Sequence, residues 1–426
     1  MTTPRRAVAF LVVGQTLYTL GSAVSSGTVF RYFIDDWPLP AVAMTLVLVM
    51  PETVQTLAVA AGGVIQRAGS AKATWLLGAV VGRLAATAAA AIAFLDPSRS
   101  TVGVAYGMLA LQALSEAAQA ISYVALMVWL SRIYGPERWG KTFAIRRIGV
   151  VAGMLLLPAA LAAYGRTRAE GAADLLAGNG VAAVGIAILA LITTDRAGGR
   201  DPSGRREGLT QPRLAERLQR LLATPRAIGL IATSWHLAAA QGLTQFVFFR
   251  YAVDALDVDA AQKASLVAFM FAVQLPLALV AGRLVDRFDG RVVLTAGIWV
   301  TAAAVPCWLL ADRSIGWLWL AYGLWGGFSL VNVALQTLSL QLASPEDRAE
   351  SVAVVRFGAG VVAAVTPLAV AGWLPDGAAM AFSEDPFSPW VIVMGVSFLG
   401  RMTAPLWLWI SVQTDRGRPS DLAAAD

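Results

Sequence analysis

Phe30-Arg31-Tyr32, with Asp35 four residues past the arginine, is written a second time as Phe249-Arg250-Tyr251 with Asp254. Other pairs recur around it in the same order. Ala105-Tyr106-Gly107 returns as Ala321-Tyr322-Gly323. Pro136, Glu137, Arg147, Gly149 and Pro158 return as Pro345, Glu346, Arg356, Gly358 and Pro367. Thr194-Asp195-Arg196 returns as Thr414-Asp415-Arg416. The shift is close to half of the 426 residues throughout, so the chain reads as a duplicated unit.

Each copy contains six apolar runs long enough to cross a bilayer. In the first copy, spans one to six fall at about 7–31, 40–65, 73–95, 101–131, 143–165 and 173–194. In the second, spans seven to twelve fall at about 228–251, 262–284, 292–311, 316–342, 352–374 and 388–413. The composition agrees: 57% apolar and 14% charged, against about 45–50% and 25% for soluble domains. Six crossings return the chain to its starting side, so both copies insert in the same direction. Parallel repeats of this kind are related by an axis along the membrane normal, with the binding site between them. The expected fold is therefore an all-α membrane protein of twelve helices. It divides into a first half over 1–195, a polar Arg-, Gly- and Pro-rich linker over 196–226, and a second half over 227–426. Within the linker, Leu214, Leu218, Leu221 and Leu222 have the spacing of a short amphipathic helix.

The charges orient the chain. With both termini in the cytoplasm, the cytoplasmic segments hold 24 of the 33 Lys and Arg residues, and the outer loops hold five. This is the positive-inside asymmetry, and it accounts for the net charge of +6 without nucleic acid. The first apolar run is too long for a signal-peptide core. The sequence predicts a multi-pass protein of the inner (plasma) membrane, acting as a monomer. The single cysteine, Cys307, and single histidine, His236, exclude a disulfide framework and a multi-histidine metal site. No GxxxxGK[ST] loop is present, so no ATP is hydrolysed. Neither a nucleophile–base set nor a cofactor motif points to an enzyme.

Between spans eight and nine runs Gly282-Arg283-Leu284-Val285-Asp286-Arg287-Phe288-Asp289-Gly290-Arg291. It resembles the loop motif of the major facilitator superfamily (MFS), Gly-x-Leu-x-Asp-Arg-x-Gly-Arg, with one extra residue before the second glycine. The matching place in the first half, Gly62-Gly63-Val64-Ile65-Gln66-Arg67-Ala68-Gly69, has Gln66 where the family has aspartate. Pro136-Glu137-Arg138 before span five and Pro345-Glu346-Asp347-Arg348 before span eleven are similar to that family as well. The resemblance implies the MFS fold and a cytoplasmic latch that stabilises the outward-open state. Carried over, Asp286 and Arg287, with Gly282, Gly290 and Arg291, form the second-half latch. Their expected partners are Arg146 and Arg147 at the start of span five. Gln66 lacks the charge, so the first-half latch should be weaker.

A charge at mid-membrane costs about 2.5–3.5 kcal/mol on insertion scales, which makes such residues functional candidates. Glu116 lies mid-way along span four; Gln112 shares its face at i, i+4 spacing, and Gln119 is on the same helix. Asn332 is its repeat partner in span ten, with Gln336 beyond. Glu52 follows Pro51 in span two, where a kink beside a carboxylate suits a gate or a proton site. Arg83 in span three is expected to pair with Glu52 or Glu116. Arg401 in span twelve reads as structural, though either arginine is also a candidate anion holder. His236, Gln241 and Gln245 in span seven, and Gln15 and Tyr18 in span one, are candidate solute contacts on helices that face the cavity in the resembled family. Arg31 and Arg250, at the outer ends of spans one and seven, form either an outer gate or interface anchors. These features predict a secondary transporter that moves a small organic solute by alternating access, with proton coupling through Glu52 or Glu116 as a candidate energy source. The alternative is a non-transporting assembly or lipid-handling protein on the same fold.

Overall fold

The structure, a computed structural model, describes residues 4–27, 30, 50, 53–92, 102–166, 171–192, 214–252, 256–373 and 389–416. These are helices joined by short turns, with no strand among the described residues. Backbone polar groups in a bilayer must be satisfied within the segment, and helices do this. Among the described residues, nine helices are long and apolar enough to cross a membrane. Spans five and seven add Trp139–Arg166, of 28 residues, and Pro225–Arg250, of 26. Span two is described from residue 53, as a 3-10 turn Gln55–Ala60 leading into Ala61–Ala68.

Local chemistry sets several boundaries. The Asp259 side chain accepts from the Gln262 N–H at 2.7 Å, a capping box that opens span eight. Asp289 accepts from the Arg291 N–H at 2.9 Å and opens span nine. Gly69, at φ 65°, closes the helix of span two in the left-handed region that favours glycine. Three spans are broken: nine between Gly290–Ala302 and Ala304–Leu309, ten between Ile315–Trp325 and Phe328–Gln341, and twelve between Pro389–Thr403 and Leu406–Arg416. Pro306 and Pro405 account for the first and last, because each ring opposes the carbonyl four residues earlier. Span ten breaks at Gly326-Gly327.

The packing repeats as the sequence does. Span one lies on spans five and six, and span seven lies on spans eleven and twelve. Spans three and four pair, as do nine and ten. Small residues allow these approaches. A Cβ on Gly149 would lie 2.8 Å from the Val12 carbonyl, and one on Gly153 would lie 2.7 Å from that of Thr16, so the GxxxG of span five seats span one. Between the halves, span five runs along span eight and span two packs on span eleven. A two-fold exchange of halves turns the first contact into the second. This is the pseudo-symmetry expected of two parallel six-helix repeats.

Candidate functional site

The halves meet at the end of the bundle that carries the linker. There Asp286, closing span eight, accepts from the N–H groups of Gly140 at 2.8 Å and Lys141 at 2.9 Å. These are unpaired donors of the first turn of span five, where the helix dipole favours a carboxylate. Gly282, one turn earlier, makes the approach: a Cβ there would lie 2.6 Å from that of Ala144. The expected partnership of Asp286 with Arg146 and Arg147 does not form. The backbone donors at the helix start are nearer, and both arginines lie further along the helix. Arg146 is buried over the Tyr123 ring, 5.0 Å from its centroid, and Arg147 donates across the halves to Gln274 of span eight. Arg356 of span eleven covers the same Tyr123 ring at 4.0 Å. Arg291 pairs inside its own loop, its Nε 2.9 and 3.0 Å from the Asp289 oxygens. Burial pushes the Asp289 carboxyl up, but the bonds from Arg291 outweigh it and hold the group below its ordinary value. Arg287 lies over its neighbour Phe288, and Gly290 packs on Leu338.

The symmetry-related contact, span two on span eleven, is held differently. Glu350, in the first turn of span eleven, is fully buried; a Cβ on Gly62 would overlap its carboxylate. Its partner comes from the linker helix Leu214–Leu222: Arg217 Nη1 lies 2.7 Å from Glu350 Oε1. The same guanidinium donates through Nη2 to Gln66 Oε1 at 2.9 Å. One turn on, Arg220 pairs with Asp347 at 2.9 Å. With Gln66 uncharged, the carboxylate of this contact is Glu350 of span eleven, and the linker's Arg217 supplies its counter-charge and bridges it to Gln66.

Within the first half, the polar residues of spans one and four come together. The Tyr18 hydroxyl donates to Gln119 Oε1 at 3.0 Å, and Gln119 Nε2 donates to Ser115 at 3.1 Å. Gln112 Nε2 reaches Glu116 Oε1 at 3.2 Å and the Ser26 carbonyl at 3.3 Å. Gln15 bonds Thr19 within its own helix. A cavity of about 30 Å³, lined by Gln15, Tyr18, Gln119, Tyr123 and Arg146 among others, lies between them. Arg83 does not pair with a carboxylate among the described residues. Its Nη1 donates to Ser25 of span one at 3.0 Å and Asn179 of span six at 3.3 Å, because span three packs against both. Glu52 and Arg31, and the side chains of Gln245 and Arg250, lie outside the described residues.

The second half holds a larger cavity, of about 390 Å³, between spans seven, ten, eleven and twelve. Gln241, Phe248, Trp325, Phe328, Gly360 and Arg401 line it. His236 does not: its Nδ1 accepts from Trp407 Nε1 at 3.1 Å, on an exposed face shared with span twelve. Nor does Asn332, which donates to the Phe328 carbonyl of its own helix at 2.7 Å. Gln336 is half-buried on that helix.

Comparison with known proteins agrees with this architecture. Residues 237–423 match the family model described as Major Facilitator Superfamily. That match covers the second half of the chain, which is similar to this family there. Among solved structures of the superfamily's fold, the human organic anion transporter MFSD10 (TETRAN) superposes with a TM-score of 0.65 at 14% identity, covering 95% of this chain and 100% of that one. The proton:xylose symporter XylE, bound to 6-bromo-6-deoxy-D-glucose, superposes at 0.68 and 13% identity, covering 95% of each chain. At these identities the likeness establishes the fold. No curated protein matches the sequence.

Two residues of the contact between spans two and eleven escaped the sequence reading. Arg217 was legible only as one arginine of an amphipathic linker helix. Glu350 lay beside the Pro345-Glu346-Asp347-Arg348 motif without being singled out. The absent charge at Gln66 was the sequence signal that this contact is built differently from that of Asp286.

Proposed function

We propose that this membrane transporter moves a small organic solute by alternating access, the two halves rocking about a site between them. The carrying observation is that the halves are joined on the linker side by two separable latches, Asp286 on span five and Arg217–Glu350 between spans two and eleven. Each latch is a small set of polar contacts beside the apolar cluster that both halves share. The positive-inside charge places this side in the cytoplasm, with the inner membrane as the site of action, so the structure corresponds to a form closed toward the cytoplasm. The halves are bounded as 1–195 and 227–426. Gln15, Tyr18, Gln112, Glu116 and Gln119 supply the first-half polar face, and Gln241 contributes to the second. Glu116 is the proton-coupling group, since it is a carboxylate at mid-span within an amide network.

Flux of candidate solutes into proteoliposomes, with and without an imposed proton gradient, tests the proposal. Transport is expected in the wild type, and Glu116→Gln is expected to abolish gradient-driven accumulation while leaving exchange. Failure of every solute class to cross, with the protein folded, would sink the transport reading. Unchanged gradient dependence in Glu116→Gln would remove Glu116 from coupling.

A further inference from the structure

Arg401 is 3% exposed, yet no carboxylate lies against it among the described residues. Its Nη2 donates to Thr244 Oγ1 at 2.8 Å and its Nε to Ser397 Oγ at 3.3 Å. Both acceptors are neutral hydroxyls. A guanidinium has five N–H donors, so these two bonds hold the group in place and leave the rest of the fork. That fork lines the cavity of about 390 Å³, a volume in the range of small-molecule sites. The wall around it is aromatic. Phe248 lies with its ring centroid 6.0 Å from the guanidinium carbon and meets Trp325 edge-on at 5.2 Å; Phe328 is adjacent in the lining. Span ten breaks at Gly326-Gly327, between those two aromatic residues, where the helix gives way to a turn beside the cavity. Gln241 offers one amide on the same surface. The site therefore joins one fixed cation, without a carboxylate partner among the described residues, to a predominantly apolar, ring-lined space.

We infer that this cavity binds an organic anion with a carboxylate head and an aromatic or otherwise apolar body, the head held by Arg401 and the body by Phe248, Trp325 and Phe328. The inference rests on the transport reading and names its solute class. A planar guanidinium binds a carboxylate through two parallel bonds, which a lysine or an amide cannot do. A neutral isostere of the solute leaves the cation unpaired in a ring-lined cavity, so the site selects for charge.

The test uses the full chain in lipid nanodiscs and radiolabelled 3-phenylpropionate as the probe, with 3-phenylpropionamide and inorganic phosphate as competitors. The carboxylate is expected to bind saturably, and both competitors are expected to act at least about tenfold more weakly. Arg401→Gln is expected to lose at least about tenfold in affinity, and Arg401→Lys somewhat less. Ala363→Phe, which fills the cavity from span eleven and leaves residue 401 an arginine, is expected to weaken binding too, and decides the matter if Arg401→Gln does not fold. Equal competition by the amide, absence of saturable binding to folded protein, or unchanged affinity in the variants overturns the site. Counterflow of the same probe in proteoliposomes separates the two readings. Arg401-dependent binding without flux removes transport and keeps the site; flux of neutral solutes without carboxylate binding does the reverse.

Discussion

Replacing Arg217 by methionine keeps the stem and removes the charge, leaving Glu350 buried against Gly62 and Gln66 without its donor. Losing one member of a buried pair costs about 3–5 kcal/mol. Glu350 has an escape, which is to take a proton. From the ordinary glutamate value near 4.3, protonation costs about 3.7 kcal/mol at pH 7 and about 1 kcal/mol at pH 5, and this sets a ceiling on the penalty. Glu350 is covered by Gly62 of span two only while spans two and eleven touch, so the penalty of a stranded charge falls on the closed linker side. At pH 7 it shifts the equilibrium between closed and open forms by up to about 500-fold. Spin labels at Arg67→Cys and Glu346→Cys, both exposed on that side, report the separation by electron paramagnetic resonance. The background is Cys307→Ser, since Cys307 is the only cysteine. The expected result is a short distance in the parent at both pH values. Arg217→Met should show a longer distance at pH 7 that recovers toward pH 5. Adding Glu350→Leu, which removes the stranded charge, should restore the short distance at pH 7. An unchanged distribution in Arg217→Met, opening that is equal at the two pH values, or no rescue by Glu350→Leu would refute the latch.

Two packing contacts give further expectations. Gly282→Leu places a side chain where Ala144 already stands 2.6 Å from the Cβ position; it should lower stability by about 1–3 kcal/mol, seen as an earlier thermal melt, and part spans five and eight. A parent-like melt would show that this approach is not close. In Gly358→Ala the new methyl overlaps the indole of Trp235, whose Nε1 donates to the Val354 carbonyl at 3.2 Å. The ring must move and lose that bond, so red-shifted tryptophan emission and about 1–3 kcal/mol lower stability are expected. Unaltered emission would count against the contact.

The helical-span plan and the parallel repeat could be read from the residues because each follows from one-dimensional constraints. Lipid requires long apolar runs, the positive-inside bias counts arginines by loop, and duplication leaves matched residues such as Arg147 and Arg356 in register. Side-chain partners were less legible. Arg83 was expected on Glu52 or Glu116; among the described residues it bonds Ser25 and Asn179 and not Glu116, and Glu52 lies outside them. His236 was expected in the cavity and faces Trp407. Asp286 was expected on arginines and caps a helix start. In each case the rotation of a helix about its axis, which no apolar run records, chose the neighbour. Periodicity tells which residues share a face. It does not tell what that face meets.

The sequence by itself determined that the chain crosses a membrane in two like halves, and it showed where they differ: Gln66 opposite Asp286, Glu116 opposite Asn332, and Arg83 and Arg401 without repeat counterparts. Only the tertiary structure decided what those differences do. It brought Arg217 from the linker to the place left uncharged by Gln66, and it left Arg401 facing a ring-lined cavity with hydroxyls for company. The physical reason is one of range. Burial in lipid is a property of a segment and is written along it, whereas an ion pair closes over about 3 Å between residues far apart in the chain, and only packing can bring them together.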